Sequence, residues 1–74
     1  SNGDAAHRSN FALLFAQSAT KTNRPEEAIS VLSAQARADS KNARLQQALG
    51  AAHNANGDDA NAFQAFKKAY ELNL

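Results

Sequence analysis

The segment LGAAHNANGDDANAFQAFKKAYEL, residues 49–72, decides the fold. At its centre Gly57 can take the positive φ that ends a helix, and Asp58 is a preferred residue for starting the next one. Small residues stand on either side of this turn, at Gly50 and Ala62, and they let two helices approach closely. Because a short turn joins antiparallel neighbours, the segment predicts an antiparallel helix hairpin.

A second hairpin is predicted earlier in the chain, by a constant shift that places Phe11 on Leu45. The same shift pairs Phe15 with Leu49, Ala16 with Gly50, Asn23 with Gly57, Ala28 with Ala62, Ile29 with Phe63 and Leu32 with Phe66. Only the Ala pair is an identity. The correspondence therefore lies in size and turn character: large residues match large ones, small match small, and Asn matches Gly at the turn.

This shift equals the period of about 34 residues, with two helices per unit, that is typical of tetratricopeptide repeats. The second unit resembles that family. The spacing that carries the resemblance is Leu49-Gly50, six residues, Gly57-Asp58, three residues, Ala62, three residues, Phe66, two residues, Ala69, two residues, Leu72. The resemblance covers residues 9–74. It implies an all-α fold of two tandem antiparallel hairpins, four helices in all, that form a short right-handed α-solenoid.

The first unit departs from the family pattern at three points, two of which the second unit shares. Gln35 stands where a small residue is preferred, and the aromatic slot of the first helix holds Ala19 here and His53 in the second unit. The large residue expected earlier on that helix is also absent, with Ala12 and Gln46 in its place. The hairpins are predicted at residues 4–42 and 43–74, with no capping helix after them. Residues 1–3 are interpreted as a remnant of tag removal.

Local signals predict where the four helices begin and which side chains face inward. Asp4 is the expected N-cap of the first helix, Pro25 suits the first turn of the second, and residues 39–42 form a polar turn. The expected inward faces follow helical spacing. They are Phe11, Leu14, Phe15 and Ser18; Ala28, Ile29, Leu32 and Ala36; Leu45, Leu49, Ala52 and His53; and Ala62, Phe63, Phe66, Ala69 and Tyr70.

Composition argues against several classes of function. The chain has 74 residues, no Cys and a net charge of +1. Thiol chemistry and disulfides are excluded, and the charge is too small for generic nucleic-acid binding. The longest apolar run, residues 11–16, is much shorter than the roughly 20 residues that span a bilayer, so no direct membrane insertion is expected.

No catalytic or metal site is predicted, and the chain is not expected to be an enzyme or to need a cofactor. His7 and His53 are the only histidines. His53 falls where the family packs a ring, so a packed histidine is the preferred interpretation over a metal ligand. The pairs Glu26-Glu27 and Asp58-Asp59 stand at helix starts, where carboxylates stabilise the helix dipole.

The resemblance implies a protein or peptide partner bound on the concave face, which the first helix of each unit lines. The residues expected there are Asn10, Leu13, Leu14, Gln17, Thr20 and Lys21 from the first unit, and Arg44, Gln47, Ala48, Ala51, Asn54 and Ala55 from the second. The slots of the family's carboxylate clamp hold Leu13, Gln17 and Ala48, which disfavours that mode of binding. The alternative is that the polar residues simply face solvent.

A second hypothesis is self-association, as a homodimer. Phe66, Tyr70, Leu72 and Leu74 are expected to form a partly exposed apolar end surface after the second hairpin. A more particular resemblance, carried by Asn10-Phe11-Ala12-Leu13-Leu14 and the Ala-rich helices, is to the periplasm-facing lipoproteins of Flp pilus assembly. It implies that the chain is a fragment of a larger bacterial assembly or secretion factor, with periplasm and cytoplasm both open as its compartment.

Overall fold

Four α-helices follow one another along the chain. The computed structural model describes the backbone of residues 2–73 and the side chains of residues 7–73. The helices are α1 (Asn2–Lys21), α2 (Pro25–Ala38), α3 (Ala43–Ala55) and α4 (Asp59–Leu72). No strand occurs within residues 2–73. The protein is therefore all-α over the part of the chain that the structure describes, as the sequence predicted.

The turns after α1 and α3 have the same backbone geometry. Asn23 has a φ of 63° and Gly57 a φ of 77°. The amide of Arg24 donates to the carbonyl of Ala19 at 2.7 Å, and the amide of Asp58 donates to the carbonyl of His53 at 2.9 Å. Such bonds satisfy carbonyls that a helix end leaves free. The positive φ predicted at both turns is confirmed.

The helix starts agree with the sequence except at the first. Pro25 opens α2, and the side chains of Asn42 and Asp58 accept backbone bonds at the starts of α3 and α4. The predicted N-cap at Asp4 is wrong, because α1 already begins at Asn2. An acidic residue is favourable both as an N-cap and within the first turn, so the residue type alone does not separate the two.

Each helix packs against the next, and α1 also packs against α3. Among the described residues, α4 packs against α3 alone. The core cluster combines α1, α2 and α3: Ala12, Ala16, Ala19, Ala28, Leu32, Ala36, Leu45 and Ala52. Only the two Leu side chains in that cluster are larger than a methyl group. The helices are therefore held together at short range, through Ala faces.

Two of the predicted inward faces are wrong in part. On α1, Phe11, Leu14 and Ser18 are exposed, and Phe15 alone is half-buried. The face that packs is the small-residue stripe Ser9, Ala12, Ala16 and Ala19. On α4, Ala62, Ala65 and Ala69 are buried, whereas Phe63, Phe66 and Tyr70 are exposed. In both helices small side chains take the contact because they allow the closest approach.

The predicted faces of α2 and α3 agree better with the structure. Ala28, Leu32 and Ala36 are buried on α2, and Ile29 packs partly against them. On α3, Leu45 and Ala52 are buried, and Leu49 and His53 are half-buried. In the structure α2 packs against α1 and α3, and α3 packs against α1, α2 and α4.

A hydrogen-bonded group joins three helices at one end of the molecule. The buried Ser9 hydroxyl donates to the carboxylate of Asp39 at 2.7 Å and accepts from the side-chain amide of Gln35 at 3.2 Å. Asn42 donates to the same Asp39 oxygen at 3.0 Å. The bonds from Ser9 and Asn42 lower the pKa of Asp39. Gln35, which departs from the family pattern, therefore links α2 to α1.

Candidate functional site

The contact between α1 and α3 forms a groove of about 680 Å³. Its lining comes from those two helices only: Leu13, Ala16, Gln17, Thr20 and Lys21 from α1, and Arg44, Gln47, Ala48 and Ala51 from α3. The spacing of these residues puts them on one side of each helix, at i, i+3, i+4 and i+7. Two consecutive hairpins therefore contribute their first helices to one concave surface.

Most residues predicted for the concave face meet in this groove. Leu13, Gln17, Lys21, Arg44, Gln47 and Ala51 all line it, and so do Thr20 and Ala48. Asn10, Leu14 and Asn54 are exposed outside its lining. Ala55 lines a separate, smaller cleft beside the turn before α2. The groove therefore takes in fewer residues than the predicted face, and Leu14 lies outside it.

Ala16 also lines the groove, although it was not predicted from the sequence to lie on the concave face. It is buried, and it was matched with Gly50 as a small residue inside the hairpin. Its presence in the lining shows that the floor of the groove reaches the core. A small residue at position 16 is already explained by the close contact within the hairpin. Its size therefore gave no additional indication that it also lines a surface groove.

The groove has an apolar floor and a basic rim. Leu13, Ala16, Ala48 and Ala51 supply the apolar part, while Lys21 and Arg44 place one cation on each helix. No carboxylate is among its lining residues, although the whole chain has a net charge of only +1. The local field therefore favours an acidic or carbonyl-rich ligand over a basic one.

The end surface predicted on α4 is largely exposed to solvent. Phe66 and Tyr70 are exposed, and Leu72 is half-buried. Leu74 lies outside the described residues. Phe63, which was expected to fill the space between helices, belongs to this exposed surface instead. The ring of Phe66 also lies over Gly50, where an added Cβ would be 2.8 Å from its ring carbons.

The histidines have no partners suited to metal chemistry. Within the described part of the chain, no group of three or more His, Cys, Asp or Glu side chains is placed to hold a metal ion. His7 is exposed, and His53 is half-buried beside a polar cleft between α3 and α4. The Nδ1 atom of His53 is buried and has no hydrogen-bond partner in the structure.

Comparisons with protein-family models, with curated proteins and with solved structures found no match for this chain. Among residues 2–73, no helix is both long enough and apolar enough to cross a membrane. The groove between α1 and α3 is the site that the described residues define best.

Proposed function

We propose that the protein is a tetratricopeptide-type module that binds a segment of a partner protein in the α1–α3 groove and performs no covalent chemistry. The observation that carries the proposal is the groove itself. Eight of the twelve residues that the repeat pattern assigns to a concave binding face line this one surface, four from each of two helices separated by a whole helix.

The repeat interpretation has two kinds of support. The turns at Asn23 and Gly57, which the repeat pattern pairs, share their positive φ and their backbone hydrogen bonds. In addition, α1 packs on α3 although α2 intervenes in the chain, as expected when the first helices of successive units stand side by side.

The lining indicates the chemistry of the ligand. An apolar floor of Ala and Leu suits small or medium apolar side chains, and the amides of Gln17 and Gln47 can bond to peptide groups. Lys21 and Arg44 favour carboxylates. The proposed ligand is an extended or helical segment that carries apolar residues beside Asp or Glu.

Peptide selection followed by NMR tests this proposal. A displayed library of random peptides is selected on the protein, and an enriched peptide is then titrated into isotope-labelled protein. We expect enriched peptides to contain acidic residues, and the amide shifts of Ala16, Ala48 and Ala51 to move. Replacement of Ala51 by Glu should weaken binding by about tenfold or more, since it places a like charge and extra bulk in the groove.

The matched control is Ala34→Glu, which makes the same chemical change at an exposed position of α2 outside the groove. This variant should bind as the unmodified chain does. Equal weakening by both substitutions, or shifts confined to residues outside α1 and α3, would contradict the proposal.

A second candidate function is self-association. The observation that favours it is the exposed apolar surface of α4, formed by Phe63, Phe66 and Tyr70. Exposed apolar patches of this kind mark interfaces. The two functions use different sides of the molecule, because none of these three residues lines the α1–α3 groove.

We also propose that the module serves a bacterial assembly or secretion factor, as in Flp pilus assembly. The support for this is the resemblance of residues 10–14 and of the Ala-rich helices. Loss of pilus assembly on deletion of the gene, restored by the unmodified chain but not by Ala51→Glu, is the expected result. Normal assembly in the deletion strain would contradict it.

A further inference from the structure

One face of α1 is exposed although its counterpart on α3 is covered. Phe11 is 69% exposed and Leu14 66% exposed, and Ser18 on the same stripe is exposed too. The positions one repeat later are Leu45, Ala48 and Ala52. These belong to the core cluster or pack against it. We define the α1 outer face as Phe11, Leu14 and Ser18. One repeat later in the sequence, the matching face of α3 lies in the interior of the molecule.

The same difference in exposure separates α4 from α2, but here the exposed face belongs to the later helix. Phe63, Phe66 and Tyr70 on α4 are 65%, 45% and 67% exposed. Their counterparts on α2 are Ile29, Leu32 and Ala36, which belong to the core cluster or pack against it. The α4 outer face, defined as Phe63, Phe66 and Tyr70, is in register with a face that is internal in α2.

The small residues at the contact within each hairpin show no such difference. Ala12 and Gln46 are both buried, and so are Ala28 and Ala62. Ala16 and Gly50 are buried as well. The two halves of the chain therefore differ where one hairpin meets the next, along the contact that α2 makes with α3.

We propose that the α4 outer face binds the α1 outer face of a second copy of this chain, in the way that α2 meets α3 within one copy. One contact then covers both apolar faces. The internal α2–α3 contact supports a second copy as the occupant. On α1 of that copy, Phe11 and Leu14 stand at the positions that match the buried Leu45 and the half-buried Ala48 of α3. This inference rests on the second candidate function, self-association.

The chemistry of the two faces suits this contact. Both are apolar, and the aromatic rings of Phe11, Phe63 and Phe66 can pack edge to face. A net charge of +1 per chain opposes association only weakly.

The proposed contact joins different faces and is therefore head to tail. Repetition of a head-to-tail contact builds an open array, whereas a contact between two α4 outer faces would stop at a dimer. The unmodified chain is therefore expected to form species larger than a dimer, with a mean mass that rises with concentration in sedimentation equilibrium.

Two blocked variants test the arrangement. Phe11→Glu places a charge on the α1 outer face, and Tyr70→Glu places one on the α4 outer face; both positions are exposed, so the helical circular dichroism should not change. Each variant alone should be a monomer, with association weakened by about tenfold or more. An equimolar mixture should form a 1:1 heterodimer and nothing larger, because each variant retains one intact face.

Three results would overturn the inference. If Phe11→Glu still dimerises while Tyr70→Glu does not, the contact joins two α4 outer faces, and self-association survives without this arrangement. If the mixture stays monomeric while the unmodified chain associates, the two faces do not bind each other. If the unmodified chain stays monomeric at millimolar concentration, self-association fails as well. Leu14→Glu and Phe63→Glu repeat the test on each face if either first variant unfolds.

Peptide binding in the α1–α3 groove gives an independent measurement on the same variants. None of Phe11, Leu14, Phe63 or Tyr70 lines the groove. The blocked variants should therefore bind the selected peptide as the unmodified chain does, so failure of the groove proposal and failure of the head-to-tail contact are separately visible.

Discussion

Helices α2 and α4 each follow a turn that contains a positive φ, yet they differ in what covers them. Leu32 is completely buried on a helix that packs against both α1 and α3, whereas Phe66, its counterpart, is 45% exposed on a helix that packs against α3 alone. The larger apolar side chain is thus the one in contact with water. Between α2 and α4, burial follows the number of neighbouring helices and not the hydrophobicity of the residue.

The largest expected effect separates these two positions directly. Leu32→Ala removes a fully buried side chain and should lower the free energy of unfolding by about 3 kcal/mol. Phe66→Ala should cost only about 1 kcal/mol, because nearly half of the ring is already in water and less apolar area is lost. Urea unfolding followed by circular dichroism at low protein concentration measures both. Equal losses would show that α4 is covered as fully as α2.

The two turns offer a second comparison. Gly57 has a φ of 77°, and a Cβ added there would meet no atom within 4 Å. Gly57→Ala should therefore lower the free energy of unfolding by about 1 kcal/mol, through backbone strain alone. Gly57→Asn should recover most of that loss, because Asn already takes the same conformation at position 23. If both substitutions lower the free energy of unfolding by the same amount, the turns at Asn23 and Gly57 are not equivalent.

A third prediction concerns the close approach of α3 and α4 at Gly50. An added Cβ would lie 2.8 Å from the Phe66 ring, so the ring must move in Gly50→Ala. In a Phe66→Ala background, the same change should raise the free energy of unfolding by about 0.5–1 kcal/mol, the usual helix gain of Ala over Gly. With Phe66 present the gain should be lost or reversed. A double-mutant cycle measures the coupling, and additivity would contradict the contact.

The smallest expected effect on stability concerns the N-caps of α2 and α4, and it depends on pH. Asp58 caps α4, whereas Arg24 at the same place before α2 makes no side-chain cap bond. Hydrogen bonds from Asn61 hold the pKa of Asp58 below its ordinary value. A lowered folded pKa means that this stabilisation is present above the ordinary pKa and is lost as the pH falls through the lowered one.

Asp58→Asn keeps an oxygen that can cap the helix but does not titrate. Its melting temperature should therefore fall less steeply below about pH 4 than that of the unmodified chain. Asp39→Asn serves as the comparison at the other end of the molecule, since bonds from Ser9 and Asn42 also lower the pKa of that carboxylate. If the melting temperatures of both variants fall with pH as that of the unmodified chain does, neither carboxylate stabilises the fold through a lowered pKa.

Local features of the fold were predictable from the residues alone. The turns at Asn23 and Gly57, the proline start of α2 and the cap at Asp58 depend on backbone preferences of single residues, and all were predicted. The inner stripe of α2 was predicted too, because its apolar residues fall on one side of the helix. The groove was predictable in large part, since the repeat places its lining on the first helix of each unit.

Features that depend on distant neighbours were not predictable. On α1, the stripe of Phe11, Leu14 and Phe15 and the stripe of Ser9, Ala12 and Ala16 both follow helical spacing, and size favoured the wrong one. The bonds that join Ser9 to Gln35 and to Asp39 span 26 and 30 residues, and no periodic pattern marks them. The exposure of Phe63 depends on how many helices surround α4, which its own sequence does not record.

Native-state hydrogen exchange tests the difference between α2 and α4 most directly. At a concentration where the chain is monomeric, we expect the amides of α2 to exchange only through global unfolding. Those of α4 should exchange faster, through local opening of a helix held by one neighbour. Raising the protein concentration into the range where the chain associates should slow exchange in both helices, because association stabilises the folded chain against unfolding. Equal protection of the two helices in the monomer would contradict the account.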